Sequence, residues 1–156
     1  MFLRRFGVFL ATCAHVGYAP IAPGTFGSLV GLVIYYAVRR QQSTTFELGA
    51  IGVVVLIGLW SATEAEHHFG GIDPGPVVID EVIGMLITLA LHPVNVLGAI
   101  IGFFIFRLLD IVKPWPARRL ELLPGGFGVV LDDMMAGLYS NLLVWLLVWL
   151  LPAWLT

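Results

Sequence analysis

The sequence predicts an all-α fold, a polytopic helical membrane protein with about four to five apolar helices and an interfacial helix at its N-terminus. Hydrophobic residues make up 59% of the chain, charged residues only 12%, and the mean hydropathy is +0.96. Soluble domains are usually about 45–50% apolar and about 25% charged. The apolar residues also cluster into five segments, which turns and charged groups separate. A length of 156 residues predicts a single membrane domain, residues 1–156.

Charge and cysteine content exclude several other classes. The net charge of −2 is too small to predict a nucleic-acid partner, and no arginine-aromatic patch or zinc-type cysteine spacing is present. Cys13 is the only cysteine, so no intrachain disulfide can form. We therefore expect a membrane partner and no nucleic acid.

The N-terminal segment, residues 1–17, places the basic pair Arg4 and Arg5 before an apolar run. This order is typical of the first two regions of a signal peptide, but no small-residue cleavage site with a polar mature domain follows. We interpret the segment as an amphipathic or interfacial helix.

The five apolar segments are short for membrane-spanning helices, except for the last one. A helix needs about 20 residues to cross a bilayer comfortably. A re-entrant hairpin is therefore an alternative for the first two segments. Trp145 and Trp149 in the last segment are typical of an aromatic interface belt. The segments cover residues 29–38, 48–60, 77–91, 94–106 and 134–151.

The turns that separate these segments also carry polar groups. Thr25 or Ser28 is expected to cap the helix after the Gly-Thr-Phe-Gly-Ser turn, where free N–H groups would suit an anion, although a plain turn and cap is the alternative. A polar connector is predicted over residues 61–76. Its adjacent His67 and His68 point in different directions on a helix and lack metal-site spacing, which favours a solvated helix end. Asp73 belongs to a turn-forming Asp-Pro pair.

Two pairs of acids stand beside apolar segments. Asp80 and Glu81 lie in the first turns of the third segment, and Asp132 and Asp133 come just before the fifth, where a helix N-terminus favours negative charge. Charges at such positions cost about 2.5–3.5 kcal/mol each, so they indicate function unless a buried ion pair holds two helices together. A glycine follows each pair within five residues and would let helices approach closely.

A polar stripe is predicted where Arg107, Asp110 and Lys113 recur every third residue on a helix that Pro114 ends. If Arg4 and Arg5 are cytoplasmic and each segment crosses once, the stripe, both acid pairs and the first turn meet at one membrane face. The positive-inside tendency agrees for six of the eight basic residues, but Arg39 and Arg40 fall on the other side. The six are Arg4, Arg5, Arg107, Lys113, Arg118 and Arg119.

This combination of charges fits a divalent cation together with a phosphate. Carboxylate oxygens suit Mg²⁺, a guanidinium can hold two phosphate oxygens, and an ammonium supplies a point charge. A carboxylate that is free of metal can act as general base. These properties favour a membrane phosphate-ester enzyme. A cation- or proton-coupled transporter and a structural ion-pair cluster are the alternatives.

Four motifs then resemble those of the phosphatidylglycerophosphatase A family, in the same order and over residues 17–139: GYAPIAPGTFGS, DPGPVVIDEVIG, FRLLDIVKPWP and GGFGVVLDDMMAG. The resemblance implies a magnesium-dependent lipid phosphatase that converts phosphatidylglycerophosphate to phosphatidylglycerol and inorganic phosphate. It also implies a multi-pass protein of the bacterial inner membrane whose active site faces the cytoplasm. The phospholipid substrate is the implied partner.

The resemblance also implies the site residues, while the stretch 117–124 matches loosely and leaves Arg118 and Arg119 unassigned. Asp73 matches as well. No aspartate phosphatase motif of the DxDxT type and no suitably flanked histidine is present, which favours direct attack of water, with an aspartyl-phosphate intermediate as the alternative. The implied catalytic residues are Asp80, Glu81, Arg107, Asp110, Lys113, Asp132 and Asp133, the implied metal ligands are Asp80, Glu81, Asp132 and Asp133, and the implied substrate-binding residues are Thr25, Ser28, Arg107 and Lys113.

Overall fold

A computed structural model describes residues 2–156, and this part of the chain is helical with connecting turns and without strands. The predicted all-α class is confirmed. A short 3-10 turn, Val16–Tyr18, follows the first helix. The α-helices are α1 (Phe2–Ala11), α2 (Pro23–Arg39), α3 (Thr44–Phe69), α4 (Ile79–Leu89), α5 (Val96–Val112), α6 (Ala117–Leu120), α7 (Gly126–Leu150) and α8 (Pro152–Leu155).

Helix α4 lies at the centre of the bundle, and α2, α3, α5 and α7 pack around it. Ten of its eleven residues are buried, because the helix is apolar on all sides except for its first-turn acids. At about 1.5 Å per residue, eleven residues rise roughly 16 Å, which is about half the hydrocarbon thickness of a bilayer. The third predicted segment is therefore a core helix that is too short to cross a membrane alone.

Helices α4 and α7 run parallel and cross at two facing glycines. A Cβ atom added to Gly137 would lie 2.6 Å from the carbonyl oxygen of Gly84, so only glycine permits this backbone contact. The Asn141 side-chain amide lies 2.9 Å from the carbonyl oxygens of Ile87 and Ala90, and so ties the C-terminal end of α4 to α7. The predicted role of the glycines after the acid pairs is confirmed.

The remaining long helices alternate in direction around this pair. Helix α2 is parallel to α4, since Gly27 packs on Val78 near their N-terminal ends and the Tyr35 hydroxyl donates to the His92 carbonyl just beyond the C-terminal end of α4. Helix α3 is antiparallel, because Glu47 near its start accepts the N–H of Leu91 at 3.0 Å. Helix α5 is antiparallel too, and its last turns return to the end of the bundle where α2, α4 and α7 begin.

The alternation brings the charged motifs to one end of the bundle, as the sequence predicts. Arg39, the exception to the charge pattern, lies at the opposite end and forms an ion pair of 2.9 Å with Glu47, whose side chain is only 3% exposed. The buried partner explains why a basic residue is tolerated there.

Two helices, α3 with 26 residues and α7 with 25, are long and apolar enough to cross a membrane. In the most apolar 18-residue stretch of each helix, only 22% and 28% of the residues are buried inside the bundle, which would be unusual for core helices of a soluble protein. Their exposed surfaces carry large apolar side chains such as Leu56 and Trp149. These features indicate a membrane protein, whereas the count of four to five spanning helices is not confirmed.

Helix α1 is amphipathic, as predicted. Its Gly7 packs against Glu64 and Trp60 of α3, while Phe2 and Phe6 are exposed beside Arg4 and Arg5. That this face lies in a membrane interface remains a prediction.

Several predicted boundaries are wrong, because the helices extend past the apolar runs into polar residues that face neighbouring helices. The first nine residues of the predicted connector, 61–69, continue α3, and α7 begins eight residues before Met134. Asp132 and Asp133 therefore lie in the second turn of α7, so the explanation from the helix N-terminus is wrong for them. The predicted cap is wrong as well: Ala22 precedes α2, and Ser28 donates to the Gly24 carbonyl from inside the helix.

Candidate active site

The first turns of α2 and α4, the last turns of α5 and the second turn of α7 meet at one end of the bundle. The structure brings all seven predicted catalytic residues to this end, in two groups. Asp80, Glu81 and Asp133 form a carboxylate cluster at the α4–α7 crossing. Around it lie two ion-paired cations, Arg107 and Lys113, with their acidic partners.

The carboxylate cluster offers three oxygen atoms, one from each residue, that lie within 4.8 Å of one another. Asp80 is 6% exposed and Asp133 is 3% exposed. One oxygen of each of the three carboxylates is buried without a hydrogen-bond partner: Asp80 Oδ1, Glu81 Oε2 and Asp133 Oδ2. Buried carboxylates without partners are strongly unfavourable, so the cluster requires a cation or bound protons. Three close oxygens are a donor set that suits a hard divalent cation.

Asp132, the fourth acid predicted to bind metal, lies outside this cluster. Its Oδ2 accepts a hydrogen bond of 2.6 Å from Lys113, and its Oδ1 accepts the N–H of Asp133 at 2.9 Å. Adjacent residues on a helix point about 100° apart, which is why one aspartate of the pair faces α4 and the other faces the end of α5.

Arg107 connects the carboxylate cluster with α2 and α5. Its Nη1 donates to Asp110 at 2.6 Å, lies 3.8 Å from Glu81 Oε1 and lies 3.5 Å from the Ser28 hydroxyl. The side chain is 18% exposed. A guanidinium has five N–H donors, so this arrangement leaves donors for a ligand at the open end of the site.

Lys113 ends α5 in the left-handed conformation, with φ of 47°, directly before Pro114 as predicted. Its ammonium contacts Asp132 at 2.6 Å and Glu121 at 3.1 Å. Burial lowers the pKa of Lys113, but the hydrogen bonds and charges of Asp132 and Glu121 outweigh it and raise the pKa above its ordinary value. Lys113 is therefore a permanent cation at physiological pH.

The backbone of α2 closes a third side of the site. A Cβ atom at Gly24 would overlap Glu81 Oε1 and lie 3.1 Å from Arg107 Nη1, so the glycine allows both side chains to approach the helix. Thr25 lies in the same turn and is half-buried, and Ser28 is fully buried. Of the two predicted substrate-binding hydroxyl residues, Ser28 is the one that faces Arg107.

The other residues that stand out in the sequence form none of the direct contacts described above. His67 and His68 are exposed in the last turn of α3, which confirms the solvated helix end. Asp73 is exposed on the loop before α4, where its N–H donates to Glu66 at 3.3 Å, and its carboxylate is near enough to Lys113 and Asp132 to interact with them electrostatically. Arg118 is exposed on α6.

Two residues that help to build the site are not predicted from the sequence. Glu121, which holds Lys113, lies in the loosely matched stretch, where its only signal is an isolated acid. Thr63 accepts the N–H of Gly126 at 2.9 Å and fastens the start of α7 to α3. A Cβ at Gly126 would overlap the carbonyl oxygen of Leu59, which explains the glycine at that position.

Comparison with known proteins finds three relatives that are described as lipid phosphatases. A relative from Bacteroides thetaiotaomicron, described as a candidate phosphatidylinositol-3-phosphatase, is 36% identical over 151 residues, or 92% of this chain and 94% of the relative. Two proteins described as phosphatidylglycerophosphatase A are also similar. The one from Escherichia coli is 37% identical over 126 residues, with 80% of this chain and 73% of the relative covered. The one from Haemophilus influenzae is 33% identical over 125 residues, with coverages of 79% and 77%.

No solved structure matches the chain. The family model for phosphatidylglycerophosphatase A matches residues 9–148, which include every residue of the carboxylate cluster and both cations. The protein thus belongs to the phosphatidylglycerophosphatase A family.

Proposed function

We propose that this protein is a lipid phosphatase that hydrolyses the terminal phosphate monoester of phosphatidylglycerophosphate to phosphatidylglycerol and inorganic phosphate, with Mg²⁺ as cofactor. The observation that carries the proposal is the set of buried, unpartnered carboxylate oxygens beside Arg107 and Lys113, at one end of an apolar bundle. Family membership supports the same activity. The transporter alternative has no such support.

Asp80, Glu81 and Asp133 are the residues that would hold the cation. One oxygen of each residue lies close to the other two, and one buried oxygen of each has no hydrogen-bond donor in the protein. When bound, a divalent cation offsets the charge of the phosphate and lowers the pKa of a coordinated water. The protein contributes a buried setting that strengthens these interactions.

Arg107 is proposed to bind two oxygens of the phosphate. Asp110 and Ser28 both contact Nη1, and these contacts orient the guanidinium and its remaining donors before substrate binds. A planar bidentate donor matches phosphate geometry in a way that an ammonium does not. Preorganisation of this kind contributes to transition-state stabilisation.

Lys113 and Asp132 are proposed to act on the oxygens that change bonding. Water attacks phosphorus, a new O–P bond forms, and the bond from phosphorus to the glycerol oxygen breaks. Asp132 orients the water and accepts its proton, while Lys113 stays protonated and its charge stabilises the glycerol oxygen, which takes up a proton from solvent as it leaves. The pair lies 2.6 Å apart, and Asp132 directly precedes Asp133 of the cluster in the chain, so both groups lie near the carboxylates.

The membrane setting follows from the same bundle. We propose a multi-pass protein of the bacterial inner membrane whose site lies at the cytoplasmic face, where exposed Arg4 and Arg5 of α1 and Arg118 of α6 would meet anionic headgroups. This position lets a lipid phosphate reach Arg107 without leaving the bilayer.

A second candidate substrate is a phosphoinositide with a 3-phosphate. The similarity to the Bacteroides relative extends over almost the whole of both chains. An Arg–Lys pair recognises a phosphate monoester whichever headgroup carries it, so the headgroup preference has to be measured.

The test is release of inorganic phosphate by purified protein in detergent, with phosphatidylglycerophosphate and phosphatidylinositol 3-phosphate compared at equal concentration. We expect magnesium-dependent release, faster from the first lipid, that chelation stops and Asp133→Asn abolishes. His67→Asn, which changes an exposed residue, is the matched control and should behave as wild type. Folded wild type that releases phosphate from neither lipid in the presence of magnesium would refute the proposal, and faster release from the inositol lipid would select the second candidate.

A further inference from the structure

An apolar groove of about 520 Å³ lies on the outer surface between α5 and α7. This size falls in the range of about 300–1,000 Å³ that is typical of ligand pockets. The end of α5 contributes Leu109 and Pro114. Helix α7 contributes a row of side chains, namely Tyr139, Leu142, Leu143, Trp145 and Leu146.

The groove begins close to the candidate active site, since its first lining residue on α7, Tyr139, lies seven residues or roughly 10 Å beyond Asp132. Leu109 precedes Asp110 and Pro114 follows Lys113, so the upper wall of the groove is built from the neighbours of two site residues. On α7, positions seven residues apart share a face, and Tyr139 and Leu146 continue the face that starts at Asp132. The distance from Asp132 to Leu146 along the helix is roughly 21 Å at about 1.5 Å per residue. The groove therefore leads from the phosphate end of the bundle into its apolar zone.

The upper rim of the groove is held in place by a hydrogen bond. The Tyr139 hydroxyl donates to the Trp115 carbonyl at 3.0 Å, which connects α7 to the turn that follows α5. Farther along, Leu142 is 62% exposed and lines the groove together with Leu146. A large exposed apolar surface on a helix that is long enough to cross a membrane faces lipid rather than water.

We propose that this groove binds one acyl chain of the substrate lipid and thereby fixes the position of its phosphate at Arg107 and Lys113. The inference rests on the proposed lipid phosphatase function. A phospholipid whose phosphate occupies the site must extend its acyl chains from that end into the bilayer, and the groove starts there and runs in that direction. Apolar contact along the groove would add binding energy for a long-chain substrate, and a short-chain substrate would lack this contribution.

A second apolar hollow provides a natural comparison. It lies at the start of α3, is lined by Phe46 and Val53, and has a volume of about 720 Å³. The Arg39–Glu47 ion pair at that end is internally satisfied, and the catalytic residues lie at the opposite end of the bundle. Lipid in this hollow would have its phosphate far from Arg107.

The experiment compares hydrolysis of long-chain and dihexanoyl phosphatidylglycerophosphate in the same detergent by wild type, Leu142→Trp and Val53→Trp. Leu142→Trp fills the groove, and we expect it to lower the ratio of kcat/KM for the long-chain lipid to that for the short-chain lipid at least about tenfold. Val53→Trp, which fills the unrelated hollow, should keep the wild-type ratio. An unchanged ratio in Leu142→Trp, or an equal fall in Val53→Trp, would overturn the assignment.

A binding measurement separates failure of the groove from failure of the proposed function. The probe is phosphatidylglycerophosphate with a photoactivatable group in one acyl chain, and cross-linked residues are identified by mass spectrometry. We expect adducts concentrated at residues 139–146 in wild type and a strong decrease in Leu142→Trp, whether or not the lipid is hydrolysed. Adducts spread evenly over α3 and α7, as bulk lipid would give, would overturn the proposal.

Discussion

At the scale of single residues, the structure divides the four acids of the two pairs into a cluster of three carboxylates and one acid that pairs with a lysine, a division that the sequence does not show. Asp80, Glu81 and Asp133 bring carboxylate oxygens together and each keeps one buried oxygen without a partner, whereas Asp132 is held by Lys113. The types and positions of the charged residues are visible in the sequence because charges are rare in so apolar a chain. Their partners are not, since which side of a helix an aspartate faces depends on where the neighbouring helices pack.

Arg107→Lys tests the proposed phosphate clamp. An ammonium cannot hold two phosphate oxygens in the geometry of a guanidinium, so we expect kcat/KM for phosphatidylglycerophosphate to fall at least about tenfold, or roughly 1.4 kcal/mol of transition-state stabilisation. The magnesium concentration for half-maximal activity should stay near that of wild type. Arg118→Lys, at an exposed position on α6, is the control. Wild-type kcat/KM in Arg107→Lys would eliminate the clamp.

Gly24→Ala tests the approach of α2 to the site. The new methyl group would overlap the Glu81 carboxylate, which is the mobile end of a flexible side chain, so we expect the protein to fold while Glu81 is displaced. Phosphate release should decrease several-fold, with a higher magnesium requirement. Gly49→Ala, where no atom lies within 4 Å, should leave both unchanged. Equal activity and magnesium dependence in the two variants would show that Glu81 tolerates displacement.

At the scale of helices, the site depends on how closely α4 and α7 approach. Facing glycines bring the two backbones together, and the acid pairs precede these glycines by three to five residues, so the crossing sets the distance between Glu81 and Asp133. The sequence predicts close helix approach at the glycine after each acid pair, but not that these two helices contact each other. It does not predict that α4 is buried on all sides, because an apolar run alone does not distinguish a spanning helix from a core helix.

Gly137→Ala should separate the two helices. The added Cβ would lie 2.6 Å from the Gly84 carbonyl oxygen and 3.2 Å from its Cα, and backbone cannot move as a side chain can. We expect a loss of about 1–3 kcal/mol of stability, as for other overpacked cores, seen as a lower Tm in detergent.

The matched control for Gly137→Ala is Gly52→Ala, where a Cβ meets nothing and alanine favours the helix by about 0.5–1 kcal/mol. Gly137→Ala should also lose activity below its Tm, because the carboxylates no longer meet. A Tm for Gly137→Ala equal to that of Gly52→Ala would mean that the crossing has room to relax.

Helix ends are the least predictable elements. The sequence ends the second apolar segment at Trp60, yet α3 continues to Phe69, because Thr63 faces α7 and Glu64 faces Gly7 of α1. In the same way α7 begins before its apolar run, since Asp132 pairs with Lys113 and Asp133 faces Asp80 and Glu81 inside the bundle. Hydropathy detects burial in lipid but misses polar residues that are buried by neighbouring helices.

At the scale of the whole molecule, the alternation of helix directions explains why motifs far apart in sequence meet. The convergence of the charged motifs at one end is predictable from the number of segments between them and from the distribution of basic residues. The partner of Arg39 is not, because it requires the fold to place buried Glu47 beside it. Which membrane face carries the site remains a prediction.

Cysteine labelling tests this orientation. In a Cys13→Ala background, single cysteines at Gly71 and Leu122 lie on loops at the site end, and one at Gln42 lies on the loop at the opposite end. We expect a membrane-impermeant reagent to label the first two from the cytoplasmic side and the third from the other side. Labelling of Gly71→Cys and Leu122→Cys from opposite sides would contradict the common face.

The central claim is that Asp80, Glu81 and Asp133 form a cation site that is separate from the phosphate clamp. Binding of Mn²⁺, an oxygen-preferring substitute for Mg²⁺ with an electron paramagnetic resonance signal, tests it directly in purified protein without substrate. The account predicts that wild type binds Mn²⁺ saturably and that Mg²⁺ competes for the same site. Asp133→Asn should weaken the Mn²⁺ affinity at least about tenfold, or roughly 1.4 kcal/mol, whereas Arg107→Lys should keep the wild-type affinity. Equal affinity in wild type and Asp133→Asn, or no saturable binding by folded wild type, would contradict it.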